Sequence, residues 1–197
     1  MRYGPHHKPT SRARLLEKAG ALAKKEGFGA TGLSALVSAA GVTTGAFYSQ
    51  FTSKTELLQA IVEHELLKLL PAVETPDVDR IRAFASGYLS DFHVDHPELG
   101  CPMPTLAAEV GRASRETRET FERTIRRIQE NLMAVTGNAA SAWALITQAA
   151  GAILIARAMA SAEGRTEVLQ AARAAVAGLL PARTAADSGV GGAQADR

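Results

Sequence analysis

A glycine-punctuated stretch at residues 27–58, GFGATGLSALVSAAGVTTGAFYSQFTSKTELL, constrains the fold of this chain more than any other segment. Large apolar residues stand on either side of Gly41: Leu33, Leu36 and Val37 before it, Val42, Phe47 and Phe51 after it. The spacing predicts two short helices, over residues 33–40 and 43–50, about a tight turn in which Gly41 takes a positive φ. Ser53 and Glu56 form a capping-box pattern that opens a further helix. With the apolar groups facing inward, Thr43, Thr44, Gly45, Tyr48 and Ser49 are left on the outer side of the second helix. Thr44 and Tyr48 are four apart and share a face.

A small helix exposed on one face and flanked by basic residues is the shape that enters a DNA major groove. Hydroxyls and backbone N–H groups at a helix start are good phosphate ligands. Gly45 lets the backbone come close to a duplex, and Tyr48 can donate to a phosphate or lie on a thymine methyl. Lys54, Thr31 and Ser34 lie where they could reach neighbouring phosphates. The same helix-turn-helix shape also occurs in proteins that never touch DNA, where such a tyrosine is a plain surface residue.

Charge is distributed in the same sense. Net charge is only +2, but residues 1–52 carry seven cations and two anions, whereas residues 71–197 carry 13 cations and 15 anions. A basic front on a slightly acidic body suits a polyanion binder that uses one end. Cys101 is the single cysteine, so no intrachain disulfide is possible, which fits a reducing compartment. The first 14 residues lack the apolar stretch of a signal peptide. The longest apolar run, residues 139–156, is interrupted by Ser141 and Gln148 and ends at Arg157. It reads as a buried helix and not as a membrane span, so the expectation is a cytoplasmic protein with no membrane partner.

Helical spacing dominates throughout, and the fold class expected is all-α with about nine helices. A flexible basic arm is expected at residues 1–9, a three-helix domain at 10–53, a helical body at 54–181 and a disordered tail at 182–197. The first helix is placed at residues 10–26, with Leu15, Ala19, Leu22 and Ala23 inward and Lys18, Lys24 and Lys25 elsewhere. The fourth is expected to run to Leu70 and stop at Pro71. A fifth is expected over residues 75–96, with Thr75 as N-cap and Pro76 at the first helical position. A short helix after Pro102 or Pro104, one over 114–135, an Ala-rich helix to 162 and a last one over 165–180, separated by Gly164, complete the set.

Residues 12–62 resemble the N-terminal domain of the tetracycline-repressor (TetR) family of bacterial transcription regulators. The resemblance is carried by Ala39-Ala40-Gly41-Val42-Thr43, Gly45-Ala46-Phe47-Tyr48, Phe51, Ser53-Lys54 and Leu57-Leu58. It implies that Thr43, Thr44, Tyr48 and Lys54 contact operator DNA, mostly its backbone, with base contacts from Thr44, Gly45, Ser49 and Gln50. Family members often carry a lysine at the position of Thr44, and an aromatic and a histidine at those of Ser49 and Gln50, so the smaller groups here change the base preference. The resemblance further implies a homodimer built from the last two helices, a palindromic operator, and a small-molecule effector that moves the fourth helix. A two-fold dimer would set its recognition helices roughly 34–36 Å apart. The basic arm could enter the adjacent minor groove.

The middle helices would then enclose the effector chamber. Candidate lining residues are Phe84, Tyr88, Phe92, Met103, Leu106, Phe121, Ile125 and Trp143, with few charges among them, which favours an apolar or aromatic effector. The same stripe also reads as ordinary core. The pair Gly100-Cys101 resembles a subset of the family in which Gly-Cys precedes the sixth helix, some members of which sense electrophiles through a cysteine. Cys101 ahead of a helix start could have a lowered pKa. The rival readings are therefore a thiol- or electrophile-sensing regulator and a small-molecule-binding helical protein with a vestigial DNA domain. Asp91, His93, Asp95 and His96 offer a one-turn histidine pair but no further ligand, so no metal or cofactor is expected. No oxyanion or substrate motif accompanies Cys101, so no enzyme is expected.

Overall fold

The computed structural model describes residues 7–182, and over that range every regular element is helical. The order is α1 (His7–Glu26), α2 (Leu33–Ala39), α3 (Thr44–Tyr48), α4 (Lys54–Leu67), α5 (Leu70–Val73) and α6 (Val78–Tyr88). It continues with α7 (Asp91–Asp95), α8 (Met103–Gly111), α9 (Arg115–Thr136), α10 (Ala139–Ala158) and α11 (Ala162–Leu179). The all-α expectation holds, with 11 helices among the described residues where nine were expected. Of the expected basic arm, residues 1–6 lie outside the described residues and 7–9 already belong to α1; of the expected tail, residues 183–197 lie outside them.

Local signals set most of the boundaries. Gly27, at φ +84°, ends α1, and its N–H donates to Ala23 O at 2.9 Å. Gly41, at φ +63°, makes the turn between α2 and α3. Ser53 Oγ accepts the Glu56 N–H at 3.1 Å, while the Glu56 carboxylate reaches one residue past the usual capping-box partner, to Thr52 N at 2.6 Å. Asn138 caps α10 through Ser141 N, and Gly137 closes α9 at φ +83°.

Four expected boundaries move. The fourth helix stops at Leu67, and Pro71 lies in the first turn of the next short helix instead of ending this one. The fifth starts later, because Asp77 and not Thr75 is the cap: Asp77 Oδ1 accepts the N–H groups of Asp79 and Arg80. It is also split, since the backbone turns at Leu89 and Ser90 recaps α7 through His93 N. The Ala-rich helix ends at Ala158, and α11 begins at Ala162. Ser161 caps it by accepting the Gly164 N–H at 3.1 Å, so Gly164 lies inside the first turn and not between helices.

The N-terminal domain is α1–α3, held around Leu15, Ala19, Phe28, Leu36, Val37, Phe47 and Phe51, all buried. Helix α4 belongs to both halves: it packs on α1 in the domain and on α9 in the body. Its seam with α9 is partly polar, with Gln59 Nε2 donating to Thr120 Oγ1 at 3.0 Å. Helices α10 and α11 form the most extensive helix pair and pack on α9 and α6 respectively. Helix α10 is long and apolar enough to cross a membrane, but Ala142, Leu145, Ile146, Ala149, Ala152, Ile153 and Ala156 are packed into the body core.

Candidate nucleic-acid interface and body cavities

Helix α3 is only five residues long and would not persist by itself. It is held from behind. Phe47 is fully buried and stacks on Phe51 with ring centroids 5.6 Å apart. Thr43 Oγ1 accepts the Ala46 N–H at 3.2 Å and so caps the helix start. From α1, the Arg12 guanidinium lies 4.2 Å over the Phe51 ring and donates to Gln50 O at 3.3 Å. Arg14 Nε donates to Ala40 O at 3.1 Å, which stabilises the carbonyl end of α2.

What remains outward is what the spacing predicted. Thr43, Thr44, Gly45 and Ser49 are exposed, and Tyr48 is 58% exposed. Ser34 is also exposed. Three expected contacts are placed differently. Thr31 is buried and its hydroxyl donates to Gly27 O at 2.6 Å, so it braces the turn after α1. Lys54 is drawn inward: its Nζ donates to Thr31 O at 2.6 Å and lies 4.8 Å over the Phe28 ring. Gln50 is half-buried, with its amide nitrogen on Ala46 O at 3.3 Å. Lys24, read from the sequence as part of the basic surface, is 4% exposed. Its Nζ lies 2.6 Å from Glu65 Oε2 on α4 and 2.8 Å from Gly100 O.

The candidate effector residues divide between two cavities. Phe84, Tyr88, Phe92 and Cys101 border one of about 580 Å³ between α1, α4, α6 and α7, together with Lys24, Glu65 and His93. Its walls are charged as well as apolar, and Phe92 stands at its rim, 62% exposed. Met103, Phe121, Ile125 and Trp143 border the other, of about 530 Å³ between α8, α9 and α10, whose lining is mainly apolar. Leu106 borders neither cavity; it is buried core.

Around Cys101 the hydrogen bonding is tight. His93 Nδ1 donates to Tyr88 O at 2.7 Å and Nε2 accepts the Cys101 N–H at 3.0 Å, a neutral tautomer that burial also favours by lowering the imidazole pKa. The Tyr88 hydroxyl is buried beside the Cys101 thiol without a well-formed hydrogen bond, and burial holds its pKa well above the ordinary phenol range. Burial pushes the thiol itself up to about 11, although the Met103 N–H donates to Sγ at 3.4 Å. The expectation of a lowered thiol pKa is thereby overturned: desolvation outweighs the neighbouring donors. At neutral pH Cys101 should alkylate at least roughly a hundredfold more slowly than an exposed thiol, because thiolate population and access both fall. Iodoacetamide kinetics with and without urea measure this; equal rates would contradict the buried placement. Among the described residues no group of three or more His, Cys, Asp or Glu side chains is placed to hold a metal ion.

Comparison with known proteins agrees with the helical arrangement. Residues 15–61 match the family model for bacterial regulatory proteins of the tetR family. The HTH-type transcriptional repressor NemR of Escherichia coli strain K12 is 31% identical over 128 residues, which are 61% of this chain and 64% of NemR. The sequence match thus spans a little under two thirds of that relative's length. The crystal structure of reduced E. coli NemR superposes with a TM-score of 0.72 at 26% identity, covering 87% of this chain and 97% of that one. A TetR-family regulator from Cytophaga hutchinsonii gives 0.70 at 19% identity, covering 92% and 100%. Residues 15–61 thus match the tetR family of bacterial regulatory proteins, and the helical body behind them is similar in fold to the body of NemR.

Proposed function

We propose that the protein is a ligand-responsive transcriptional repressor that binds a palindromic operator as a homodimer and is released by a small, largely apolar effector. The outward presentation of Thr44 and Tyr48 on a helix anchored by Phe47 and Phe51 carries this reading. Phosphate contacts come from Thr43, Thr44, Tyr48 and Ser34, and base contacts from Thr44, Gly45 and Ser49. Lys54 contributes by shaping the turn at Thr31.

An uncovered apolar face supports the dimer. Leu154 and Ile155 on α10 are 55% and 53% exposed, beside exposed Ala158 and Met159. On α11, Ala171, Ala174, Ala175 and Gly178 follow helical spacing and are also exposed. Small residues let helices from a second copy approach closely, and a two-fold interface is self-complementary. As a regulator of transcription in a bacterium, such a dimer works in the cytoplasm.

The test is a mobility shift on the DNA upstream of the protein's own gene. Tyr48→Ala should weaken binding by roughly tenfold or more while helix content and oligomeric state stay unchanged, since little of Tyr48 is packed. Affinity should fall steeply with salt, by roughly 0.9 log unit per phosphate neutralised for each log unit of salt. Unchanged binding by Tyr48→Ala, or a flat salt dependence, would count against the assignment.

A further inference from the structure

The cavity between α1, α4, α6 and α7 has an inner wall that carries more positive than negative charge. Lys24 and Lys68 both contact Glu65, each at 2.6 Å, one on each carboxylate oxygen. Two ammoniums thus share a single carboxylate. An ammonium has three N–H groups. Lys24 uses one on Glu65 and one on Gly100 O, and Lys68 uses one on Glu65. Both keep donor capacity for a further acceptor, and Lys24 keeps it while only 4% exposed. Behind this wall, Arg157 on α10 donates to the backbone carbonyls of Val94 and His93, and its buried Nη1 has no partner. The carboxylates of Glu17 and Glu98 border the cavity at its outer edge, where water screens them and where His96 Nδ1 lies 3.1 Å from Glu98.

The mouth of the same cavity is apolar. Phe92 and Leu99 border it at 62% and 68% exposure, the highest values among the large apolar side chains of the described residues. Phe92 lies 4.5 Å from the His96 ring, and Phe84 lies 6.0 Å from Tyr88, so aromatic pairs line it at two places. An apolar mouth above a cationic floor matches a molecule with a flat ring at one end and an acid at the other.

We infer that this cavity binds an aromatic monocarboxylate, with its acid group on Lys24 and Lys68 and its ring against Phe84 and Phe92. The volume of about 580 Å³ is in the range of small-molecule sites. One positive charge without a matching carboxylate favours a monoanion over an uncharged compound. Helix α1 of the N-terminal domain forms one wall, and the site shares no lining residue with the apolar cavity between α8, α9 and α10. The inference concerns binding alone and stands whether or not the chain binds DNA.

The experiment is calorimetric titration of the full chain with cinnamate and with its uncharged isostere cinnamamide. Cinnamate should bind at least roughly tenfold more tightly than cinnamamide, as charge-assisted hydrogen bonds require. Lys68→Gln leaves the Lys24–Glu65 pair in place; it should weaken cinnamate severalfold and leave cinnamamide unchanged. Gly87 borders the cavity, and an added Cβ there meets nothing within 4 Å. Helices also favour leucine over glycine. Gly87→Leu should therefore fold normally and weaken both compounds by roughly tenfold, by filling space at the wall. Equal affinities for cinnamate and cinnamamide overturn the acid site. Cinnamate affinity that neither variant alters overturns the placement, and no cinnamate binding up to about 1 mM overturns the inference as a whole.

Discussion

Lys24→Met is expected to lower the stability of the chain by about 3 kcal/mol, more than any surface substitution on α1. Both partners of the Lys24–Glu65 pair are almost completely buried, at 3% side-chain exposure each, and the contact is 2.6 Å. Removing one partner of a buried pair costs about 3–5 kcal/mol, chiefly because the other charge is left without compensation. The low end of that range applies here, since Lys68 still contacts the second Glu65 oxygen at 2.6 Å. The variant also leaves Gly100 O without its donor. Combining Lys24→Met with Glu65→Leu removes both charges and should recover much of the loss, which a double-mutant cycle in urea resolves. A cost under about 1 kcal/mol at constant m-value would mean the pair does not hold α1 to the body.

Phe47→Ala should cost about 4 kcal/mol and abolish operator binding together. Phe47 is fully buried, lies edge-on to Tyr48 at 5.0 Å and stacks on Phe51 at 5.6 Å. Its loss leaves a cavity behind a helix of five residues, which has too few hydrogen bonds to keep its position alone. Tyr48→Ala is the complementary case, with weak DNA binding but near-normal stability. Chemical denaturation followed by mobility shift separates the two. A Phe47→Ala protein that keeps wild-type stability and still binds DNA would show that α3 does not depend on this anchor.

Features whose causes are local in sequence were legible without coordinates. Gly41 and Ser53 lie within four residues of the groups they turn or cap, and the outward set on α3 follows from the spacing of Val42, Phe47 and Phe51. Features that depend on distant partners were not legible. A lysine at position 24 reads as surface until Glu65, 41 residues later, is placed against it. Lys54 reads as a phosphate ligand until the carbonyl of Thr31 is found within reach of its ammonium. The interruption at Leu89 escaped because apolar spacing continues across it, whereas Ser90 provides a fresh cap. Cys101 looked activated by the helix that follows it, but its burial depends on how α6, α7 and α10 close around it, and that closure reverses the direction of its pKa.

The order of residues alone determined that the chain is helical, that a short helix with two outward hydroxyl groups sits ahead of α4, and which family it resembles. These properties arise from contacts between near neighbours, for which spacing is a sufficient guide. Only the tertiary structure decided which charges are interior and how the aromatic residues divide between two cavities. Those depend on chain segments far apart in sequence that meet at specific distances, and periodicity along one helix contains no record of its partner.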